Sequence, residues 1–255
     1  LCRGLDLLSS RAQERGIGLL REVVRSVGAA EGEGGGVGGE EGGAERGLVL
    51  VVETLLWAVQ AQNTSASVRG TAAGVLHEGL KERCFQGELQ TRAVEALVGV
   101  LGAEGGERDP DDSERGRAVG ALGAVLQNSR LKRGDRTLAF GALLWVLGAE
   151  GREGDPDGTV HQMAVFSLRA VLERGRLSGE ERRQTLGALT GVLRVGSDRD
   201  AWPQLRRKAA EALGAGIERS WLLGEERGLA FRALAGVLEV GRKEWDPDEP
   251  VRWKA

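Results

Sequence analysis

Four acidic stretches, RDPDD (108–112), GDPDG (154–158), SDRDAWP (197–203) and WDPDE (245–249), are the first places where this sequence could hold chemistry. Asp109, Asp111 and Asp112 offer the oxygen ligands that Ca²⁺ takes. An EF-hand, however, places ligands at alternate positions over about twelve residues and closes with a glutamate, and that pattern is absent. Helix capping accounts for the same acids. Proline cannot continue a preceding helix, and Asp or Ser ahead of the next one accepts hydrogen bonds from its free N–H groups.

The other reactive residue types fare no better. His77 and His161 share no motif with a serine or cysteine, whereas nucleophilic catalysis needs a nucleophile, a base and an orienting group together. Cys84, in KERCFQGE, reads as a turn residue. GGGVGG (34–39) matches a loose Gly-x-Gly-x-x-Gly, but no strand precedes it, and Glu33, Glu40 and Glu41 would repel a phosphate. The sequence thus predicts no catalytic, cofactor-binding or metal site, and a protein that is not an enzyme.

What these residues sit on is a repeat. AVEALVGVLGAEG (93–105) returns as AFGALLWVLGAEG (139–151), an offset of 46, and TLGALTGVLRVG (185–196) and AFRALAGVLEVG (230–241) continue the series. One column reads Leu55, Leu97, Leu143, Leu189 and Leu234. Four residues on, another reads Val59, Leu101, Leu147, Leu193 and Leu238. Positions four apart share a helix face, so each copy supplies a buried stripe. A second helix follows in each copy, with an alanine column at Ala72, Ala118, Ala164, Ala209 and Ala255 and a leucine column at Leu76, Leu122, Leu168 and Leu213. Small Ala beside Leu lets helix axes approach closely.

The spacing predicts helix pairs over 46–61 and 66–82, 87–102 and 113–128, 133–149 and 158–174, and 179–195 and 202–219. A further helix at 224–240 is followed by a stub at 249–255, while 1–9 and 11–27 read as the end of an earlier pair. Between copies, GAAEGEGGGVGGEEGGAE (28–45) is too polar and glycine-rich to pack and predicts a mobile loop.

An acidic turn followed by VR..AA.AL within a two-helix unit resembles the HEAT repeat, best in DPDEPVRWKA (246–255) and SVRGTAAGVL (67–76). The match is weaker in DPDGTVHQMAVFSL (155–168), where His161 replaces the basic residue. The resemblance implies an all-α fold: a right-handed α-α superhelix, or solenoid, of about five to six hairpins with a period of about 46 residues, in one domain over 1–255. It also implies a ladder between copies, with Arg69, Arg115, Arg206 and Arg252 as its bases and Asp111, Asp157, Asp200 and Asp248 as its acids. His161 stands in the basic column. The first complete copy departs from the pattern, because QNTSAS (62–67) holds no Asp.

Composition narrows the function. Net charge is −3 over 255 residues, so no overall basic field draws nucleic acid or an anionic membrane. No apolar run nears the roughly 20 residues that span a bilayer. Two cysteines, Cys2 and Cys84, make no disulfide framework and point to a reducing, intracellular and cytoplasmic setting. The sequon at Asn63 reads as a chance match, and an opening Leu in place of Met suggests an excerpt or a processed product.

The expected function is a non-enzymatic protein–protein interaction scaffold, since the resemblance places a partner on the concave face lined by the second helices. On the helical phase above, Arg117, Gln162, Met163, Phe166, Arg207, Lys208 and Trp253 point away from the leucine stripe. They mix basic, apolar and aromatic groups suited to an acidic or amphipathic protein segment. Trp57 and Trp145 read as core; Trp202, Trp221, Trp245 and Trp253 lie in or beside connections and are candidate contact residues. Two alternatives stand behind this reading. Some α-solenoids bind RNA along a basic groove, against which the charge balance argues. Some HEAT-like proteins attach bilin chromophores, for which the sequence holds no chromophore-handling motif.

Overall fold

The computed structural model describes residues 10–32, 41–61, 64–82, 84–103, 108–127, 131–149, 154–174, 177–194 and 203–243. Among these residues the chain is all-helical, with ten helices. They are α1 (Ser10–Gly32), α2 (Glu41–Gln60), α3 (Ala66–Lys81), α4 (Gly87–Leu101), α5 (Asp112–Leu126), α6 (Arg133–Val146), α7 (Gly158–Glu173), α8 (Gly179–Arg194), α9 (Pro203–Glu218) and α10 (Gly224–Lys243). Two compact units divide the chain, Leu1–Phe140 and Gly141–Ala255.

Side-chain caps start several of these helices. Ser65 accepts a hydrogen bond from the Val68 N–H at the head of α3, and Asp111 accepts one from Glu114 at the head of α5. Asp157 takes both the Thr159 and Val160 N–H groups of α7. Before α8, the Ser178 hydroxyl accepts from the Glu181 N–H while the Glu181 carboxylate accepts from the Ser178 N–H, a reciprocal capping box. Pro203 opens α9, where a missing N–H costs nothing. α4 ends at Gly102, whose φ of 70° is the left-handed conformation that a glycine adopts without strain.

The helices run close to the sequence reading from α3 onward. The main difference lies in the expected loop over 28–45. α1 continues to Gly32 and α2 begins at Glu41, so helix enters this segment from both ends. Residues 33–40, the predicted strand-less GGGVGG among them, fall outside the described residues, as do 1–9 and the stub at 249–255.

The leucine columns form the core. Leu55, Leu97, Leu143 and Leu189 are fully buried and Leu234 nearly so, as are Leu76, Leu122, Leu168 and Leu213 on the second helices. Ala72, Ala118, Ala164 and Ala209 are also fully buried. Each such leucine contributes on the order of 1.5–3 kcal/mol of burial free energy. Within the first unit, α2 packs on α3 and α4 on α5, while α1 packs on α3, α3 on α5, and α2 on α4. Within the second, α8 packs on α9, α7 on α9, and α8 on α10.

Ion pairs tie the same alternate helices together. Arg21 and Arg25 of α1 reach Glu78 of α3, Arg92 of α4 pairs with Glu53 of α2, and Arg182 of α8 pairs with Glu226 of α10 at 3.1 Å. Close approach at the helix ends depends on two glycines. A Cβ on Gly79 would lie 2.2 Å from the Phe85 ring, and one on Gly216 would lie 2.9 Å from Leu222. In both places the chain folds back so that an apolar side chain six residues later covers the last turn, and an N–H donates to the glycine carbonyl (Cys84 to Gly79, Trp221 to Gly216).

Candidate functional site

The Asp-Pro-Asp turn between α4 and α5 gives each acid a separate task. Proline confines the residue before it to extended backbone, which aims the Asp109 side chain back across the turn. Asp109 Oδ1 accepts from the Asp111 N–H at 2.9 Å, and its carboxylate takes Arg69 of α3 in a fork, Nε at 2.5 Å and Nη2 at 3.0 Å. Arg69 Nη1 also donates to the Thr64 carbonyl at 2.6 Å, and Arg115 Nη1 donates to the Asp109 carbonyl at 2.7 Å. The hydrogen bond to Asp109 raises the Arg69 pKa against the opposing effect of burial. Arg69 therefore stays charged.

This arrangement corrects the expected ladder. The carboxylate facing Arg69 is Asp109, two residues before the expected Asp111, which is occupied as the cap of α5. The turn before α7 repeats the plan. Asp155 Oδ1 accepts from the Asp157 N–H, Asp157 caps α7, and buried His161 meets the Asp155 carbonyl through Nε2 at 2.5 Å. His161 thus occupies the place that Arg115 holds in the preceding copy. Arg206 is half-buried on α9. Asp200, Asp248 and Arg252 lie outside the described residues, together with Trp253, Trp202 and Trp245.

A cleft of about 390 Å³ opens beside this turn, lined by Val59 of α2 and Ala61 just beyond it, Ala96 and Val100 of α4, and Arg69, Arg108 and Asp109. Its Arg69–Asp109 pair is already engaged in holding the turn, and its walls from α2 and α4 are largely aliphatic. Among the described residues no three His, Cys, Asp or Glu side chains converge as metal ligands would. Cys84 is buried, with its thiol 3.5 Å from the Val24 carbonyl. Trp57 and Trp145 are half-buried, and Trp221 is half-buried under the Arg219 guanidinium, 5.3 Å from the ring centroid.

His77 is half-buried on α3, with Nδ1 shielded and without a hydrogen-bond partner. Burial lowers its pKa below the ordinary imidazole value, the Lys81 charge adds to the effect, and Glu78 opposes it. A lowered folded-state pKa gives stability that is present above about 6.5 and is lost as pH falls through the folded value. Acidification from neutral pH is expected to reduce the melting temperature, and His77→Gln to flatten that part of the profile. Identical pH slopes for the two proteins would exclude the imidazole as the cause.

The predicted contact residues divide between the units. Arg117 is exposed on α5 but tethered, its Nη1 2.7 Å from Glu114. Glu114 is buried against α3, where a Cβ on Gly70 would lie 1.9 Å from both the Glu114 carboxylate and the Arg117 guanidinium. Burial raises the Glu114 pKa, with the Arg117 charge opposing. Nothing in the spacing of α5 alone could reveal this, because the space is made by a missing side chain on another helix.

The second unit gathers most of the set. On α7, Met163 is exposed, Phe166 is 65% exposed, and Gln162 is half-buried. On α9, which packs against α7, Arg207 and Lys208 are half-buried. Arg169 of α7 lies 3.9 Å from Glu211 of α9, so the two outer faces adjoin. Arg169 and Glu211 are contributors that sequence reasoning missed. The set thus combines an exposed aromatic and a thioether on α7 with cationic groups on α9.

No described helix is long and apolar enough to cross a membrane. No protein-family model matches this chain, and no curated protein matches it significantly.

Proposed function

We propose that this protein is a non-enzymatic interaction scaffold, an array of HEAT-like hairpins that holds a protein partner against the outer face of its second helices. The solenoid reading draws support from the packing of alternate helices within each unit and from leucine and alanine columns that return at about 46 residues. A hairpin of this kind cannot bury both faces of its helices alone, so its neighbours complete the core and an extended surface is left over. The intracellular setting rests on a sequence with two cysteines and no disulfide framework.

One observation carries the binding role. Phe166 is 65% exposed and Met163 stands one turn away, on a helix whose Val160, Ala164, Val165, Leu168, Val171 and Leu172 are buried. Single exposed apolar residues are ordinary. A phenylalanine and a methionine together, on a helix packed against the one that carries Arg207 and Lys208, make a contact patch.

Replacing Phe166 by a photo-crosslinking phenylalanine analogue in cells that make the protein tests this directly. Irradiation is expected to give a small number of discrete protein adducts, with none from the analogue placed at buried Leu168. Adducts absent from position 166, or equal at both positions, would refute the scaffold role of this face.

A further inference from the structure

Resting on that reading, we infer that the α7–α9 face seats an acidic amphipathic helix, with its apolar anchors on Met163 and Phe166 and a carboxylate against Arg207. Met163 and Phe166 are three residues apart, and their side chains therefore stand one helical turn apart on the same side of α7. An incoming amphipathic helix offers apolar side chains at that same spacing, i and i+3 or i+4.

The charges on α7 and on α9, which packs against it, decide the sign of the partner. Arg169 pairs with Glu173 at 2.8 Å and lies 3.9 Å from Glu211, and Glu211 holds Lys208 at 3.2 Å. These four charges neutralise one another. Arg207 is the cation left over. Its Nη2 donates at 2.6 Å to Gln204, an uncharged acceptor, and its Nε is shielded from solvent with no acceptor at all. The Nη2–Gln204 contact lies on the exposed side of the guanidinium, so its charge, which meets no carboxylate among the described residues, is open there to a charge-assisted bond from an arriving one.

A polyanion such as single-stranded RNA would answer Arg207, but the chain's net charge of −3 opposes it. It would also leave Met163 without a partner of like character. A helix with leucine-type anchors and a flanking Asp or Glu answers all three residues.

The test selects helical peptides about four turns long from a randomised display library against the full chain. Enriched peptides are expected to carry two apolar residues at i and i+3 or i+4 with Asp or Glu beside them. The synthesised best binder should lose about tenfold in affinity on Phe166→Ser and again on Arg207→Gln. Arg183→Gln, at an exposed position of α8, should leave its affinity unchanged, and far-ultraviolet circular dichroism should show all three variants folded. Enrichment of basic or uncharged peptides, or affinity indifferent to both Phe166 and Arg207, would overturn the inference. So would self-association abolished by Phe166→Ser, which assigns the face to a second copy, or oligouridine binding abolished by Arg207→Gln, which assigns it to nucleic acid. A protein crosslinked at position 166 through a segment that is not an acidic helix would overturn this inference while leaving the scaffold role standing; absence of any crosslink defeats the scaffold role itself.

Discussion

Asp109→Ala is expected to lower the stability of the protein by about 3 kcal/mol, read as a fall in the urea midpoint. Arg69 and Asp109 expose only 12% and 6% of their side chains. Removing one partner therefore strands a guanidinium that cannot recover full hydration, and breaking a buried pair from one side typically costs about 3–5 kcal/mol. The substitution also deletes the acceptor for the Asp111 N–H, which shapes the turn ahead of α5.

Two companions separate the causes. Asp109→Asn retains an oxygen for the Asp111 N–H and removes only the charge, and it is expected to cost less than the alanine. Arg69→Met combined with Asp109→Ala leaves no stranded charge and is expected to recover much of the loss, since an apolar replacement of a whole buried pair is often close to neutral. A loss below about 1 kcal/mol for Asp109→Ala would mean that the pair behaves as an ordinary surface ion pair and that the turn does not fasten α3 to the next hairpin.

Leu122→Ala has the other large expected effect. Leu122 is fully buried on α5, in a column with Leu76 of α3, and α3 and α5 pack directly on each other. Truncation removes three heavy atoms from a close-packed site and leaves a cavity that backbones held by Ala72 and Ala118 cannot close, costing about 2–5 kcal/mol. Leu19→Ala is the contrast. That residue is 69% exposed on α1, and its truncation should change stability by no more than about 0.5 kcal/mol. Equal losses at the two positions would mean that the leucine column is not the core.

The columns were legible in the sequence for a simple reason. A leucine recurring every four residues marks one helix face whatever that face meets, so Leu55, Leu97 and Leu122 could be assigned to the core before any packing was known. Phase also placed Phe166 and Met163 outward. The division of labour in the Asp-Pro-Asp turn was less accessible. Asp109 and Asp111 are the same residue type two positions apart, and spacing does not say which carboxylate folds forward as a cap and which turns back to Arg69; the restriction that proline imposes on Asp109 is the signal that separates them. Glu114 beneath Arg117 was not legible at all, because it depends on Gly70 of α3, a contact between residues 44 positions apart. The helical ends at 28–32 and 41–45 were not legible either, because their glycines give no apolar period to follow.

Native-state hydrogen exchange on wild type and Leu122→Ala tests the layered array most directly. If hairpins are stabilised chiefly by their nearest neighbours, amide protection should fall in α3, α4 and α5 and stay unchanged in α8, α9 and α10. An equal loss of protection in every helix would contradict that array and point to one shared, cooperative core.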